Sequence, residues 1–247
     1  MLTLLALAVA PGTAIALYVY SRDKYDREPL RPLLNSFVLG MLAVIPAIFI
    51  QGWLQPALFH AFNGYTLSYV AILSYMVIAC TEEGCKFLLL RSYAYPHKAF
   101  NEPFDGIIYS VMVSMGFATL ENIEYVLQYG FKTGIVRMFL SVPSHAAFGV
   151  LMGYEMGLAK FTHHHTVRYM LKGLLLAIAF HGTFDFFLLM QGITELKLLI
   201  PNKWLLNGLA STGALLCYGI AIRWSLRSIR LHEEHSRQTF QKTVSVS

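Results

Sequence analysis

The stretch SYVAILSYMVIACTEEGCKFLLL, Ser68 to Leu90, decides the fold. It is apolar over the ~20 residues that a bilayer-crossing helix needs, yet it holds two adjacent glutamates and a lysine, Glu82, Glu83 and Lys86. A charged side chain near mid-membrane costs at least ~3 kcal/mol on insertion scales, so intramembrane acids mark functional sites by default. The i, i+4 spacing predicts that Glu82 meets Lys86 on one helix face while Glu83 points about 100° away. One acid pairs and the other stays free.

Working outward, the composition agrees with a membrane protein. Hydrophobic residues make up 56% of the 247 positions and charged residues 13%, where a soluble globular chain carries about a quarter charged. Seven stretches qualify as spans, near Leu2 to Tyr20, Leu33 to Leu58, Ser68 to Leu90, Phe104 to Leu127, Val136 to Ala159, Tyr169 to Met190 and Trp204 to Trp224. The first has no basic residue before it and no cleavage site of small residues, so it reads as a retained helix. The net charge of +5 does not indicate a nucleic-acid partner, because the basic residues fall between apolar runs and form no continuous patch.

Those basic residues set the topology, since short cytoplasmic loops retain Lys and Arg. Arg22, Lys24, Arg27 and Arg31 follow span one, Arg91 and Lys98 span three, Lys160 and Arg168 span five, and Arg223 to Lys242 close the chain. The opposite loops are poorer, with Lys132 and Arg137 marking the outer side of spans four and five. The expected fold class is all-α, a polytopic transmembrane helix bundle with the N-terminus outside and the C-terminus cytoplasmic. One membrane domain covers 1–230, and 231–247 form a cytoplasmic polar tail short enough to be disordered.

Further polar residues lie inside the spans. Glu121, Asn122 and Glu124 are in span four, His145 in span five, and His181 and Asp185 in span six. His181 and Asp185 stand at i, i+4, so the carboxylate can hold one imidazole nitrogen and leave the other facing a substrate, water or metal. Counted at 1.5 Å per residue, Glu82, His145, Glu121 and His181 lie roughly 12–19 Å from the nearest basic marker, within a hydrocarbon core of about 30 Å. Isolated, each would be an unpaired polar group in lipid, so a shared polar cavity is the economical reading.

Gly149, Gly153 and Gly157 form a small-residue ladder on the face of His145, which predicts close packing of that face on a neighbouring helix. Glu124 and Glu155 read as structural or cavity-edge groups, His163, His164 and His165 as a solvated loop, and Cys80, Cys85 and Cys217 as small buried hydrophobes.

A glutamate in a low-dielectric site suits abstraction of a proton from water and its return to a leaving amine, which is hydrolysis. A second acid and the histidines could stabilise the oxyanion, or bind a divalent metal such as zinc that lowers the pKa of water. The glutamate route requires no cofactor. In the metal route the ligands would be Glu83, His145 and His181. Buried acids and histidines also build proton relays, so a proton-coupled transporter and a non-catalytic membrane receptor are the alternatives. No inverted repeat or pair of broken half-helices supports transport.

An ordered set of motifs then carries a resemblance over most of the chain. They are KYDREP (Lys24 to Pro29), EEGCK (Glu82 to Lys86), YPHKAFNEPFDGIIY (Tyr95 to Tyr109), GFATLENIEY (Gly116 to Tyr125), SVPSHAAFGVLMGY (Ser141 to Tyr154) and HGTFDF (His181 to Phe186). Together they resemble the PrsW family of bacterial intramembrane proteases, in the wider CAAX-protease and bacteriocin-processing superfamily. The resemblance implies cleavage of a single-pass membrane protein in the bacterial cell membrane. The implied substrate is an anti-sigma factor, cut first on its extracytoplasmic side under envelope stress. It further implies that Glu82 and Glu83 are essential acids and His181 the essential histidine. Glu121, Asn122, His145 and Asp185 would support them, with Lys86 tuning Glu82.

Overall fold

The computed structural model describes residues 2–162 and 164–246, and among these every secondary element is helical. The chain runs through α1 (Leu2–Arg22), α2 (Leu30–Leu42) and α3 (Val44–Ala61). A rod over 67–94 follows, containing α4 (Leu67–Ile72) and α5 (Cys80–Leu89). Then come α6 (Pro103–Tyr129), α7 (Phe131–Phe139), α8 (Ser141–Phe161), α9 (Thr166–Leu189), α10 (Thr194–Leu199) and α11 (Lys203–Val246). Among the described residues, six helical units are long and apolar enough to cross a membrane: 2–22, 30–61, 103–129, 131–161, 166–192 and 203–238.

The seventh expected span is helical but not uniformly α. Two π-helical stretches, Leu73–Ala79 and Leu90–Ala94, bracket α5, and no single α stretch in it is long enough to span. π turns are uncommon and concentrate at functional sites. Here they bracket the short helix that presents Glu82, Glu83 and Lys86.

Helix α6 is the centre of the bundle, with nine-tenths of its apolar stretch buried. It starts cleanly. Pro103 occupies the first turn, where its missing N–H costs nothing, and Glu102 and Asp105 form a reciprocal capping box. The glycine ladder of α8 lies along it, as the spacing predicts. A Cβ on Gly153 would fall on the carbonyl of Gly106 and within 2.8 Å of the Ile107 Cα, and one on Gly106 would fall on Gly153 in return. Both obstacles are backbone, so no side-chain adjustment relieves them. Gly153→Val is expected to destabilise the protein by about 3 kcal/mol, the upper end of ordinary overpacking, read as a lowered unfolding midpoint in detergent. An unchanged midpoint would mean that α6 and α8 do not approach this closely.

Breaks in two expected spans aim side chains. At Ala43 the chain turns between α2 and α3, and at Leu140 (φ −116°, ψ −68°) α7 gives way to α8. Separating α7 lets Arg137 turn inward. Only Cys217 of the three cysteines is buried; Cys85 is partly so and Cys80 is exposed on the outer face of the bundle. His163 lies outside the described residues, and His164 and His165 are exposed ahead of α9.

The expected disordered tail is instead helical, because α11 continues through it to Val246. Its first turns have partners to pack on. The His232 ring stacks on Tyr154 at 4.2 Å, Ser236 donates to Glu102 at 2.9 Å, and Glu233 pairs with Arg22. At the same end of the bundle the loop between α1 and α2 tucks two acids inward. The Asp23 carboxylate accepts from the Glu28 N–H at 2.7 Å, and Tyr109 Oη hydrogen-bonds to Glu28. Burial raises the Glu28 carboxyl from 4.5 to about 7 and that of Asp23 from 3.8 to about 6. The folded state therefore holds more protons than the unfolded chain between those values, and stability falls as pH rises through that window. Glu28→Gln should flatten the decline in unfolding midpoint between pH 5 and pH 7, as thermal melts of the two proteins would register; parallel curves would contradict it.

Candidate active site

Five helices bring ionisable side chains to one place in the interior. Glu82, Glu83 and Lys86 come from α5, Glu121 from α6, Arg137 from α7, His145 from α8, and His181 and Asp185 from α9. The convergence inferred from depth is present. A cavity of about 490 Å³ is lined by Glu82, Glu121, Arg137, Ser144, His145, His181 and Asp185, with Phe117, Phe148 and Phe184 on its walls. From α3, Gln51 reaches in and donates to Glu82 Oε1 at 3.1 Å.

The two glutamates exchange the roles that spacing suggested. Lys86 Nζ sits 2.7 Å from Glu83 Oε1, the i, i+3 partner, and 3.9 Å from Glu82 Oε2, the i, i+4 partner. Glu83 is fully buried and does not reach the cavity wall, whereas Glu82 does. The reason is that Lys86 has two more ligands to satisfy. Its ammonium lies 2.9 Å from His145 Nδ1 and 4.3 Å from the centre of the Phe117 ring. Those contacts draw it to the side of the helix that Glu83 occupies.

Glu83 Oε1 also binds His181 Nδ1 at 2.8 Å. Asp185 lies 3.4 Å from the other ring nitrogen, Nε2, and Glu82 Oε2 lies 3.9 Å from that same nitrogen. His181 is thus held at Nδ1 by a carboxylate and presents Nε2 to the cavity. Its ring stacks on Phe148 at 5.3 Å and meets the His145 ring edge-on at 5.1 Å. His145 is likewise backed by a carboxylate, Glu121 Oε2, 3.0 Å from Nε2. Asn122 does not face the cavity. Its amide donates to the Ala8 carbonyl at 2.9 Å and so ties α6 to α1.

Arg137 departs furthest from expectation. Read as a marker of the outer surface, it is buried, donates to Glu121 at 2.7 Å and to Asn122 at 3.0 Å, and lies 4.0 Å over the Tyr125 ring. A basic residue near a predicted loop looks the same in sequence whether it faces water or turns back. Gln51 was visible only as a polar residue in an otherwise apolar run. Ser144 is buried in the cavity wall with its hydroxyl unpartnered. Of the cavity-edge acids, Glu124 is at the rim and Glu155 is paired with Lys172 at 2.6 Å.

One trio has the makings of a metal centre. Glu82, His145 and His181 each offer a ligand atom, all within 4.8 Å of one another, so Glu82 takes the place expected of Glu83. Glu82 Oε2 is buried without a hydrogen-bond partner. Two imidazoles and one carboxylate match the three-ligand sets of catalytic zinc, with a carboxylate behind each imidazole; His145 would ligate at Nδ1, so an ion there would displace the Lys86 ammonium now 2.9 Å from that nitrogen. Four carboxylates, Glu82, Glu83, Glu121 and Asp185, gather there with the basic side chains Lys86 and Arg137.

Apolar helices enclosing paired carboxylates and imidazoles around one interior cavity define a multi-pass membrane protein with a buried polar site. The model of the PrsW family intramembrane metalloproteases matches residues 28–229. Proteins named Protease PrsW are similar along most of their length. The one from Geobacillus kaustophilus is 42% identical over 76% of this chain and 81% of its own. That of Shouchella clausii is 36% identical over 83% and 94%, and that of Bacillus subtilis 37% over 76% and 84%. The chain belongs to the PrsW family and is a membrane peptidase of bacteria. No solved structure matches it.

Proposed function

We propose that the cavity is the active centre of an endopeptidase that hydrolyses one peptide bond in a single-pass membrane protein. The observation that carries this is the meeting of Glu82, His145 and His181 donor atoms within 4.8 Å, with Glu82 Oε2 left unpartnered. A carboxylate oxygen kept free in a largely apolar interior is costly unless it is used. Glu82 accepts the proton of an attacking water and returns it to the leaving amine. Gln51 holds its other oxygen and keeps Oε2 turned toward His181. His181, fixed at Nδ1 by Glu83, and Ser144, with its free hydroxyl, face the space where the carbonyl oxygen of the scissile bond becomes negative. Alternatively Glu82, His145 and His181 would hold a divalent ion, which when bound supplies Lewis-acid polarisation, and Glu82 Oε2 would then be a ligand and not the base.

The substrate implied by the family resemblance is an anti-sigma factor, cut at its extracytoplasmic side as the first step of an envelope-stress response. A topology with the N-terminus outside would place the rim of the cavity, at Gln55, Glu124 and Leu188, toward that side. Purified protein should cleave a fluorescent peptide spanning the juxtamembrane region of such a substrate. Loss of cleavage with a chelator and its return with zinc would assign Glu82 Oε2 to the ion. Cleavage indifferent to the chelator would leave the glutamate mechanism and remove the ion, and absence of cleavage in every membrane substrate tried would count against proteolysis.

A further inference from the structure

We infer that Arg137 is a positioning residue of this centre, acting on His145 through Glu121. The inference rests on the peptidase reading for its kinetic consequences, though not for its structural one. A single carboxylate oxygen, Glu121 Oε2, lies 3.0 Å from His145 Nε2 and 2.7 Å from Arg137 Nη2. The guanidinium is itself fixed from two further sides. Its Nε donates to Asn122 Oδ1 at 3.0 Å, and its plane lies over Tyr125 at 4.0 Å.

These contacts form a directed chain. The Asn122 amide is anchored to the Ala8 carbonyl, so its oxygen stays turned toward Arg137. The fork of Arg137 is rigid, so it holds Glu121 in one orientation. Glu121 then accepts from His145 Nε2, which leaves Nδ1 as the acceptor facing the Lys86 ammonium at 2.9 Å. The imidazole tautomer, and the direction in which its lone pair points, are thereby set by a residue one helix away. Without the guanidinium, Glu121 would be a buried carboxylate with only an imidazole to satisfy it, free to rotate off Nε2.

The test uses full-length protein in detergent with 15N-labelled histidine, His145 assigned by its replacement. Arg137→Lys keeps the charge and loses the fork, and Arg137→Gln removes both. In either variant the His145 ring nitrogens should shift or broaden while those of His181 stay in place. Turnover of the reporter peptide should fall about 10- to 100-fold, as for other outer supports of active-site imidazoles, with KM within about twofold. Guanidinium added to Arg137→Gln should recover part of the loss. The charge-matched pair Glu121→Gln/Arg137→Gln should remain slow even where its unfolding midpoint is wild-type. Unchanged His145 resonances in Arg137→Lys would overturn the inference whether or not the protein proves to be a peptidase. So would a rise in KM with turnover intact, or full recovery in the paired variant, which would reduce Arg137 to substrate binding or to a structural ion pair. Activity retained in Glu82→Gln would instead strike the peptidase reading and leave the His145 measurement standing.

Discussion

Glu82→Gln is expected to lower peptide cleavage by at least about a thousandfold, the combined loss of a general base and of electrostatic support, with the unfolding midpoint within a degree or two of wild type. Glutamine matches glutamate in size, and its carbonyl can still accept from the Gln51 amide now bound to Glu82 Oε1. What it cannot do is take a proton or offer an anionic ligand at Oε2, the oxygen without a hydrogen-bond partner in the wild-type protein. Lys86 and His181 Nε2 both lie 3.9 Å from that oxygen, and each has a closer carboxylate, Glu83 at 2.7 Å and Asp185 at 3.4 Å. Removing the charge therefore strands no partner. Initial rates and melts on the same preparation decide the matter. A Glu82→Gln protein within tenfold of wild type would show that the chemistry resides elsewhere.

The contrast between the two glutamates also shows how far sequence could go. That acids and imidazoles from different helices meet was legible, because each would be intolerable alone in lipid and their depths coincide. The close packing of α6 and α8 was legible as well, since a glycine every fourth residue has few other uses in a membrane. Which glutamate pairs with Lys86 was not. Both i, i+3 and i, i+4 are neighbours on a helix, and the choice is made by His145 and Phe117 on other helices, which sequence spacing cannot position. Arg137 was hidden for a related reason. Its inward turn depends on the break at Leu140 that separates α7 from α8; Pro143, in the first turn of α8, signals that break but not the way Arg137 then faces. The helix at 232–236 was hidden because its partners, Arg22, Glu102 and Tyr154, are far away in sequence.

Glu83→Gln should behave differently from Glu82→Gln, losing stability as well as activity. Glu83 is the sole close carboxylate of Lys86 and the Nδ1 partner of His181, with no exposure to solvent. Breaking a buried pair from one side leaves an uncompensated charge and costs about 3–5 kcal/mol, whereas removing both partners can be neutral. Glu83→Gln should therefore unfold at a markedly lower temperature, and Glu83→Gln/Lys86→Met should recover most of that loss, since methionine follows the lysine stem past Phe117 without its ammonium. Cleavage should stay lost in the double variant, because His181 still lacks the carboxylate that orders its ring. Stability and activity then separate along one pair of residues: melts report the ion pair and rates report the imidazole. A double variant that regains cleavage would show Glu83 to be needed only to neutralise Lys86, and a Glu83→Gln protein as stable as wild type would show that the ammonium finds another anion.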